Sequence, residues 1–344
     1  MNTVFSLRRI GDSRKMIMGF ATLWIALFHS KYLVFADSRT LQLLRLAEPL
    51  DFLRSIGNCG VDFFLFLSGF GLYHSLSRDG AVRPFYRRRF LRVLPATLIV
   101  SILVTAMIGT DSLREYCARA FLYGLFLPGC RFWRFWYCSF LLLLYLLYPL
   151  IHRLLARFDF GAALGLAAAS VALTLLLRHF APDYFYQIEI GTTRIPVFVL
   201  GAWVGKRSLR GDRLPGWAGP AALLLAPGWL CFLYHLRLPG GYEFVWRYLY
   251  LPLVLLTVLS LSWLDSRVRV QWLRRALVLL GDYSLEFYLI YENLYLFLCG
   301  VFKSSDTVGL SYALPCFVAA LLLSLALKRA VAVLTKALRG EESA

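Results

Sequence analysis

Residues 60–77 read GVDFFLFLSGFGLYHSLS, an apolar run eighteen positions long, interrupted only by small residues, by Asp62 at its start and by His74 near its end. A stretch so long and so apolar suits the hydrocarbon core of a bilayer. There it must be helical, because only a helix satisfies its own backbone polar groups without water. The same texture runs through all 344 residues: 59% are apolar and 17% are charged, against about a quarter charged in a soluble domain. That apolar content suffices for about ten crossings of roughly 20 residues each. It excludes a soluble globular enzyme and a disordered chain, and the unbroken runs exclude an outer-membrane barrel, whose strands alternate.

Ten runs are delimited by Arg-rich or Gly/Pro-rich breaks, at about 16–36, 60–77, 90–109, 134–152, 161–178, 190–205, 217–235, 245–264, 276–300 and 310–334. They predict a single all-α, polytopic membrane domain of about ten transmembrane helices. The sixth run is short and carries Arg194 and Pro196 near its start. An eleventh, at 118–128, is too short to cross and is expected to lie at, or dip into, the outer face. With the N-terminus inside, the inner segments collect about two thirds of the 37 Lys and Arg residues. This is the bias of the positive-inside rule, and it predicts that both termini are cytoplasmic.

The net charge of +17 is thereby assigned to membrane orientation, and no nucleic-acid partner is expected. The seven cysteines are odd in number, form no C-x-x-C pair and show no zinc-like spacing. They read as packing residues, and no metal site is predicted. The first span imitates a secretory signal, with Arg14 and Lys15 before it and Val34-Phe35-Ala36 at its end. Its length, together with His29 and Lys31, favours an uncleaved first helix.

Polar groups inside spans cost a few kcal/mol each at the bilayer centre and are functional candidates by default. His29 lies 13 residues past Met16, roughly 20 Å above the inner face at 1.5 Å per residue. In the second span Asp62 is expected near the outer surface and Ser68 about level with His29, while Gly69 and Gly71 permit close approach of another backbone. The run FYRRRFLRVLP at 85–95 places Arg88 and Arg92, and also Arg89 and Arg92, on shared helix faces at the cytoplasmic mouth of the third span. Two guanidinium groups can converge there on one phosphate, although anchoring to lipid headgroups would use the same residues.

The run GDYSLEFYLIYEN at 281–293 places three acids in the ninth span. Tyr291 and Glu292 come to roughly 22 Å, close to the height of His29. A carboxylate facing an imidazole would hold its tautomer and raise its basicity, as a general base requires. The plainer alternatives are an interhelical hydrogen bond for His29, helix packing for Ser68-Gly69, and a transporter's proton relay for the ninth-span acids.

Taken in order, the first-span His, DFFLFLSGF at 62–70, FYRRRFLRVLP, the W-Y-x7-Y-x-x-Y-P pattern from Trp136 to Pro149, and GDYSLEFYLIY at 281–291 resemble the membrane-bound acyltransferase-3 family. The resemblance covers most of the chain and shares the ten-helix count. Two positions depart from the family pattern. Met18 stands where an Arg eleven residues before the His is common, with Arg14 or Lys15 as nearby substitutes, and Tyr291 stands where many members have a His.

The resemblance implies transfer of an acyl group, commonly acetyl, from cytoplasmic acyl-CoA to a hydroxyl of a carbohydrate, lipid-linked or other cell-envelope acceptor, in a bacterial inner membrane. On that footing His29 is the expected general base or transient acyl carrier, oriented by Glu292. Ser68 and Tyr291 are candidate oxyanion donors, Arg88, Arg89 and Arg92 bind the donor, and Asp62 positions the acceptor. The competing expectations are a proton-coupled transporter or flippase, and an inactive family member serving as sensor or scaffold.

Overall fold

The computed structural model describes residues 4–30, 38–109, 112–126, 135–267, 270–301 and 310–339. Among these, seven helical stretches are long and apolar enough to cross a bilayer: Ala47–Arg78, Val82–Ile108, Trp136–Phe158, Phe160–Phe180, Ala218–His235, Val245–Asp265 and Ala313–Lys336. The protein is an all-α polytopic membrane protein, and its two short strands, β1 (Val4–Ser6) and β2 (Arg213–Pro215), pair only with each other.

The helices are α1 (Arg8–Asp12), α2 (Arg14–His29), α3 (Arg39–Leu43), α4 (Ala47–Ser55), α5 (Gly60–Asp79), α6 (Val82–Ile108), α7 (Leu113–Ala120) and α8 (Trp136–Phe158). They continue with α9 (Phe160–Phe180), α10 (Pro182–Thr192), α11 (Ile195–Leu209), α12 (Ala218–His235), α13 (Val245–Asp265), α14 (Gln271–Asp282), α15 (Ser284–Val301) and α16 (Leu310–Arg339).

Two of the expected spans are broken helices. The sixth divides into α10 and α11 at Thr193-Arg194, with Pro196 in the first turn of α11, where its missing N–H leaves no bond unmade. The ninth divides into α14 and α15 at Tyr283, so Asp282 ends α14 and does not share the face of Glu286. The segment at 118–128 forms the end of α7 and a single 3-10 turn, Gly124–Phe126, and its last two residues lie outside the described ones. Lys31, Val34-Phe35-Ala36, Cys130 and the side chain of Cys299 also lie outside them.

The chain packs as two units. The first comprises Met1–Arg14, Asp62–Pro227 and Arg237–Val268, and the second Lys15–Val61, Gly228–Leu236 and Arg269–Ala344. In the first, α5 and α11 approach to backbone contact. A Cβ at Gly69 would collide with the carbonyl of Phe198, and one at Gly201 with that of Phe66. At Gly205 a Cβ would lie 2.6 Å from that of Phe70. Gly201 and Gly205 form the small-xxx-small spacing that lets helices approach this closely in lipid.

At one end of the unit the β1–β2 ladder pairs Phe5 with Leu214 and buries the Phe5 ring. Beside it Lys206, also buried, donates from Nζ to the carbonyl of Leu155, 2.6 Å away at the last turn of α8, and pairs with Asp159 at 3.1 Å. Partial burial alone would raise the Asp159 carboxyl. The hydrogen bond and charge of Lys206, the Trp203 N–H at 3.0 Å and the charge of Arg210 outweigh it and hold the group below the usual carboxylate range. These contacts retain Asp159 at φ +51°, a region few non-glycine residues occupy.

The second unit is organised around α2. Its Gly19 admits the carbonyl of Leu277, and Gly281 of α14 admits the carbonyl of Lys15. Lys15 and Asp282 pair at 2.7 Å across the same contact. On another side of α2, Gly57 meets the carbonyl of Trp24, whose indole N–H donates to Leu53 O at 2.7 Å. In α15, Phe287, Tyr291 and Tyr295 pack against Ala313, Cys316 and Ala320 of α16. These small residues recur at i, i+3 and i+7 and make the groove that receives the rings.

Replacing Gly19 or Gly281 by Ala is expected to destabilise the protein by about 1–3 kcal/mol or more, the cost of overpacking. Gly165→Ala, where a Cβ meets nothing within 4 Å, serves as control. Thermal unfolding in detergent measures all three, and a Gly281→Ala midpoint equal to that of Gly165→Ala would contradict the packing described.

Candidate active site

The polar residues of the second unit meet where α2 ends beside α15. His29 is in the last turn of α2, and its Nδ1 lies 3.6 Å from Glu292 Oε1, with both side chains mostly buried. That separation is longer than a direct hydrogen bond, yet it places the carboxylate on the Nδ1 side of the ring. A negative charge there favours the tautomer that carries hydrogen on Nδ1, leaving Nε2 as the basic nitrogen. Catalytic contacts of this kind commonly tighten only when substrate is bound.

The next residue, Ser30, sits 2.8 Å from the Tyr291 hydroxyl and donates its own proton to Ala26 O at 2.9 Å. With the serine proton so placed, Tyr291 is the donor to Ser30. Its ring is stacked on Phe287, with centroids 5.1 Å apart and planes 14° apart. Tyr291 therefore supports the end of α2 through Ser30, the residue after His29, and in this arrangement its proton is committed to Ser30.

The arginines belong to the first unit. Arg88 and Arg92 are exposed on α6, while Arg89 is half-buried with its guanidinium 5.8 Å from the Phe85 ring centre. Arg14, at the head of α2, has Arg92 and Arg89 as its strongest charged neighbours, together with the phenols of Tyr145 and Tyr137. Both tyrosines come from the W-Y-x7-Y-x-x-Y-P pattern. No carboxylate is among the main electrostatic neighbours of Arg14 or of Arg89, and the Nε atoms of both are buried without a hydrogen-bond partner among the described residues.

Gly71 makes room for this arrangement, since a Cβ there would lie 3.1 Å from Arg14 Nη1. Of the two substitutes suggested by the sequence, Arg14 joins the cationic cluster and Lys15 turns to Asp282. Ser68 is buried in α5 one residue before the Gly69 contact with α11.

Asp62 is 1% exposed and faces Arg194, also 1% exposed, whose Nε donates to Asp62 Oδ2 at 3.2 Å. Arg194 sits in the break between α10 and α11. Its Nη1 donates to Ile190 O at 2.7 Å, supplying a partner to an end carbonyl of α10, and its guanidinium lies 5.1 Å from the Trp136 ring centre. Arg247 pairs with Glu189 close by, and it acts on Asp62 as well. Two acids and two guanidinium groups thus balance one another inside the unit.

Sequence reasoning recorded Arg194 only as an oddity of a short span and passed over Glu189 and Arg247. Their signal was the presence of opposite intramembrane charges in separate runs, which have to find each other.

A family model described as an acyltransferase domain, that of acyltransferase-3, matches residues 17–329, nearly the whole chain. The chain belongs to the acyltransferase-3 family. As a member of that family it is a membrane acyltransferase, moving groups other than aminoacyl groups. No curated protein and no solved structure matches it. The motifs that resemble acyltransferase-3 in the sequence are the stretches that carry His29, Asp62, Arg89, Arg92, Tyr145 and Tyr291 in the structure, and Glu292 directly follows the last of them.

Arg194→Met would leave the Asp62 carboxylate buried without its hydrogen-bonded cation, and is expected to destabilise by about 3–5 kcal/mol. Removing both charges in Asp62→Asn/Arg194→Met should recover part of that loss. Unfolding midpoints of the single and double variants give the comparison, and a double variant less stable than Arg194→Met would refute the pairing.

Proposed function

We propose that this acyltransferase takes an acyl group, acetyl in the simplest case, from acyl-CoA at the cytoplasmic face of a bacterial inner membrane. The acceptor is a hydroxyl of a carbohydrate or lipid-linked component of the cell envelope. The observation that carries this reading is that Arg14 and Arg89 have other arginines and phenols, and no carboxylate, as their main electrostatic neighbours among the described residues, Arg92 being common to both. Like charges gathered in a partly buried place repel one another unless an anion joins them, and guanidinium groups bind phosphate in bidentate fashion. Coenzyme A brings several phosphate charges.

The chemistry assigned to the second unit is general-base catalysis. His29 Nε2 takes the proton of the acceptor hydroxyl while the oxygen attacks the thioester carbonyl. The tetrahedral intermediate collapses with expulsion of the coenzyme A thiolate, which receives the proton held on the His29 imidazolium and leaves as thiol, returning His29 to its neutral form. Glu292 stabilises the imidazolium formed in the first step. Of the first unit's residues, Ser68 is assigned to donate to the developing oxyanion. Tyr291 is a positioning residue that acts through Ser30. Asp62, with its Oδ1 unpartnered among the described residues, is assigned to the acceptor.

His29→Ala should lower transfer from labelled acetyl-CoA by about 10²–10⁴-fold in membrane vesicles, the usual contribution of a general base. Unchanged transfer would remove His29 from the reaction and favour a proton-coupled transporter built on the same acids. Arg89→Ala and Arg92→Ala should raise the KM for acyl-CoA by roughly ten- to a hundredfold, as loss of a charge-assisted contact does, with kcat little changed. An unaltered KM would return these residues to membrane anchoring.

A further inference from the structure

Within the first unit a cavity of about 480 Å³ opens beside the start of α2. Arg8 and Asp12 of α1, Arg14, Phe70 and His74 of α5 and Ser208 of α11 line it. Three of these side chains carry a buried polar atom without a hydrogen-bond partner among the described residues: Arg14 Nε, His74 Nε2 and Ser208 Oγ. Ser208 is wholly buried. A buried polar atom without a partner forfeits the hydrogen bonds it had to water, and three around one hollow are the complement of a polar ligand.

Arg8 supplies a fourth polar group at the rim, close enough to act electrostatically on His74. The β1–β2 ladder and the bond from Leu7 N to Asp212 O keep α1 beside the end of α11, so this wall is held by tertiary structure.

The cavity has three kinds of surface. Arg8 and Arg14 are cationic. The Phe70 and His74 rings, with centroids 5.0 Å apart and planes tilted by 38°, offer an aromatic wall, and Asp12 is an acceptor. The carboxylate disfavours a ligand that is anionic throughout, such as inorganic phosphate, and suits one with an amino group or hydroxyls beside its phosphate. The volume is in the range of small-molecule sites, roughly 300–1,000 Å³, and exceeds what a single phosphate fills. Arg14 belongs both to this lining and to the cluster with Arg89 and Arg92, so the cavity continues the proposed donor site.

We propose that this cavity receives the nucleotide end of the donor, with the 3′-phosphate on Arg8 and Arg14, the adenine on Phe70 and His74, and a ribose hydroxyl or the purine amino group on Asp12. The proposal rests on the acyl-CoA reading above.

The test compares acetyl-CoA with 3′-dephospho-acetyl-CoA on the purified full-length protein in phosphatidylcholine nanodiscs, by competition against labelled acetyl-CoA. The parent should prefer the phosphorylated donor by about tenfold or more, the size of a charge-assisted contact. In Arg8→Ala the affinity for acetyl-CoA should fall by about that factor while the dephospho donor is held as before, so that the preference disappears. Adenosine 3′,5′-bisphosphate alone should compete in the parent and do so about tenfold less well in Arg8→Ala.

Equal affinity of the parent for the two donors overturns the inference without recourse to any variant. So does a preference that survives Arg8→Ala. Competition by phosphatidylglycerol in the discs as strong as that of the bisphosphate would assign the cavity to a lipid headgroup, and also overturns it. In each of these results acetyl-CoA still binds and the acyl-CoA reading stands, whereas a parent that binds neither donor refutes that reading itself.

Discussion

Backbone-to-backbone approach at glycine is the constraint on which the positions of the functional groups depend. In lipid, two apolar helices gain no hydrophobic free energy by meeting, so their register is chosen by van der Waals fit and by polar contacts. In the second unit Gly19 and Gly281 allow α2 and α14 to touch through their carbonyls. Because α15 follows α14 after the single break at Tyr283, that contact and the Lys15–Asp282 pair set where α15 rises beside α2. The 3.6 Å approach of His29 to Glu292 and the bond between Ser30 and Tyr291 are its consequences one end of a helix away. A side chain at either glycine would move the ends of both helices and separate the pair. In the first unit Gly69, Gly201 and Gly205 act the same way on α5 and α11, the helices that present Phe70, His74 and Ser208.

What hydropathy could and could not disclose follows from the same physics. Spans such as α5, α8, α9 and α13 are largely continuous apolar runs, and the second of the expected spans, 60–77, agrees with Gly60–Asp79 within two residues. The breaks at Arg194 and Tyr283 escaped notice because a window of some twenty residues averages over a one-residue interruption. Each break gathers polar partners that only the folded chain provides. Arg194 has Ile190 O, Asp62 and the Trp136 ring, and Tyr283 has the ammonium of Lys328 over its ring at 4.3 Å.

The pairing of His29 with Glu292 was foreseeable, since both are polar in apolar helices and their heights along the two spans agree. The pairing of Arg14 with Arg89 and Arg92 was less so. Lys15 carries the same charge one residue later, and a shift of one residue turns a helical side chain by about 100°. Only the packing of α2 decides which of the two faces Gly71 and which faces Asp282. Short helices such as α3 and α4 leave hardly any pattern for an apolar-run reading, because the chain there is neither long nor uniformly apolar.

Charge balance separates the buried cations that hold the fold from those the proposed reaction assigns to a substrate. Arg194 has Asp62, Arg247 has Glu189, and Lys206 has Asp159 together with the carbonyl of Leu155. In each case a buried cation is matched by an anion and further hydrogen bonds, the condition under which burial of charge is tolerated. Arg14 and Arg89 break that pattern, because their main neighbours among the described residues are other arginines, Arg92 among them, and neutral phenols. Tyr137 and Tyr145 soften the repulsion without cancelling it, since a neutral hydroxyl offers a dipole and not a countercharge. An arrangement left short of negative charge by the protein gains most when a polyanion arrives, and what the empty arrangement forfeits in stability becomes differential affinity for the occupied one. In the proposed reaction that difference is used: the cations of the first unit would bind a phosphate-rich donor, and the facing of His29 and Glu292 in the second would serve the transfer of a single proton.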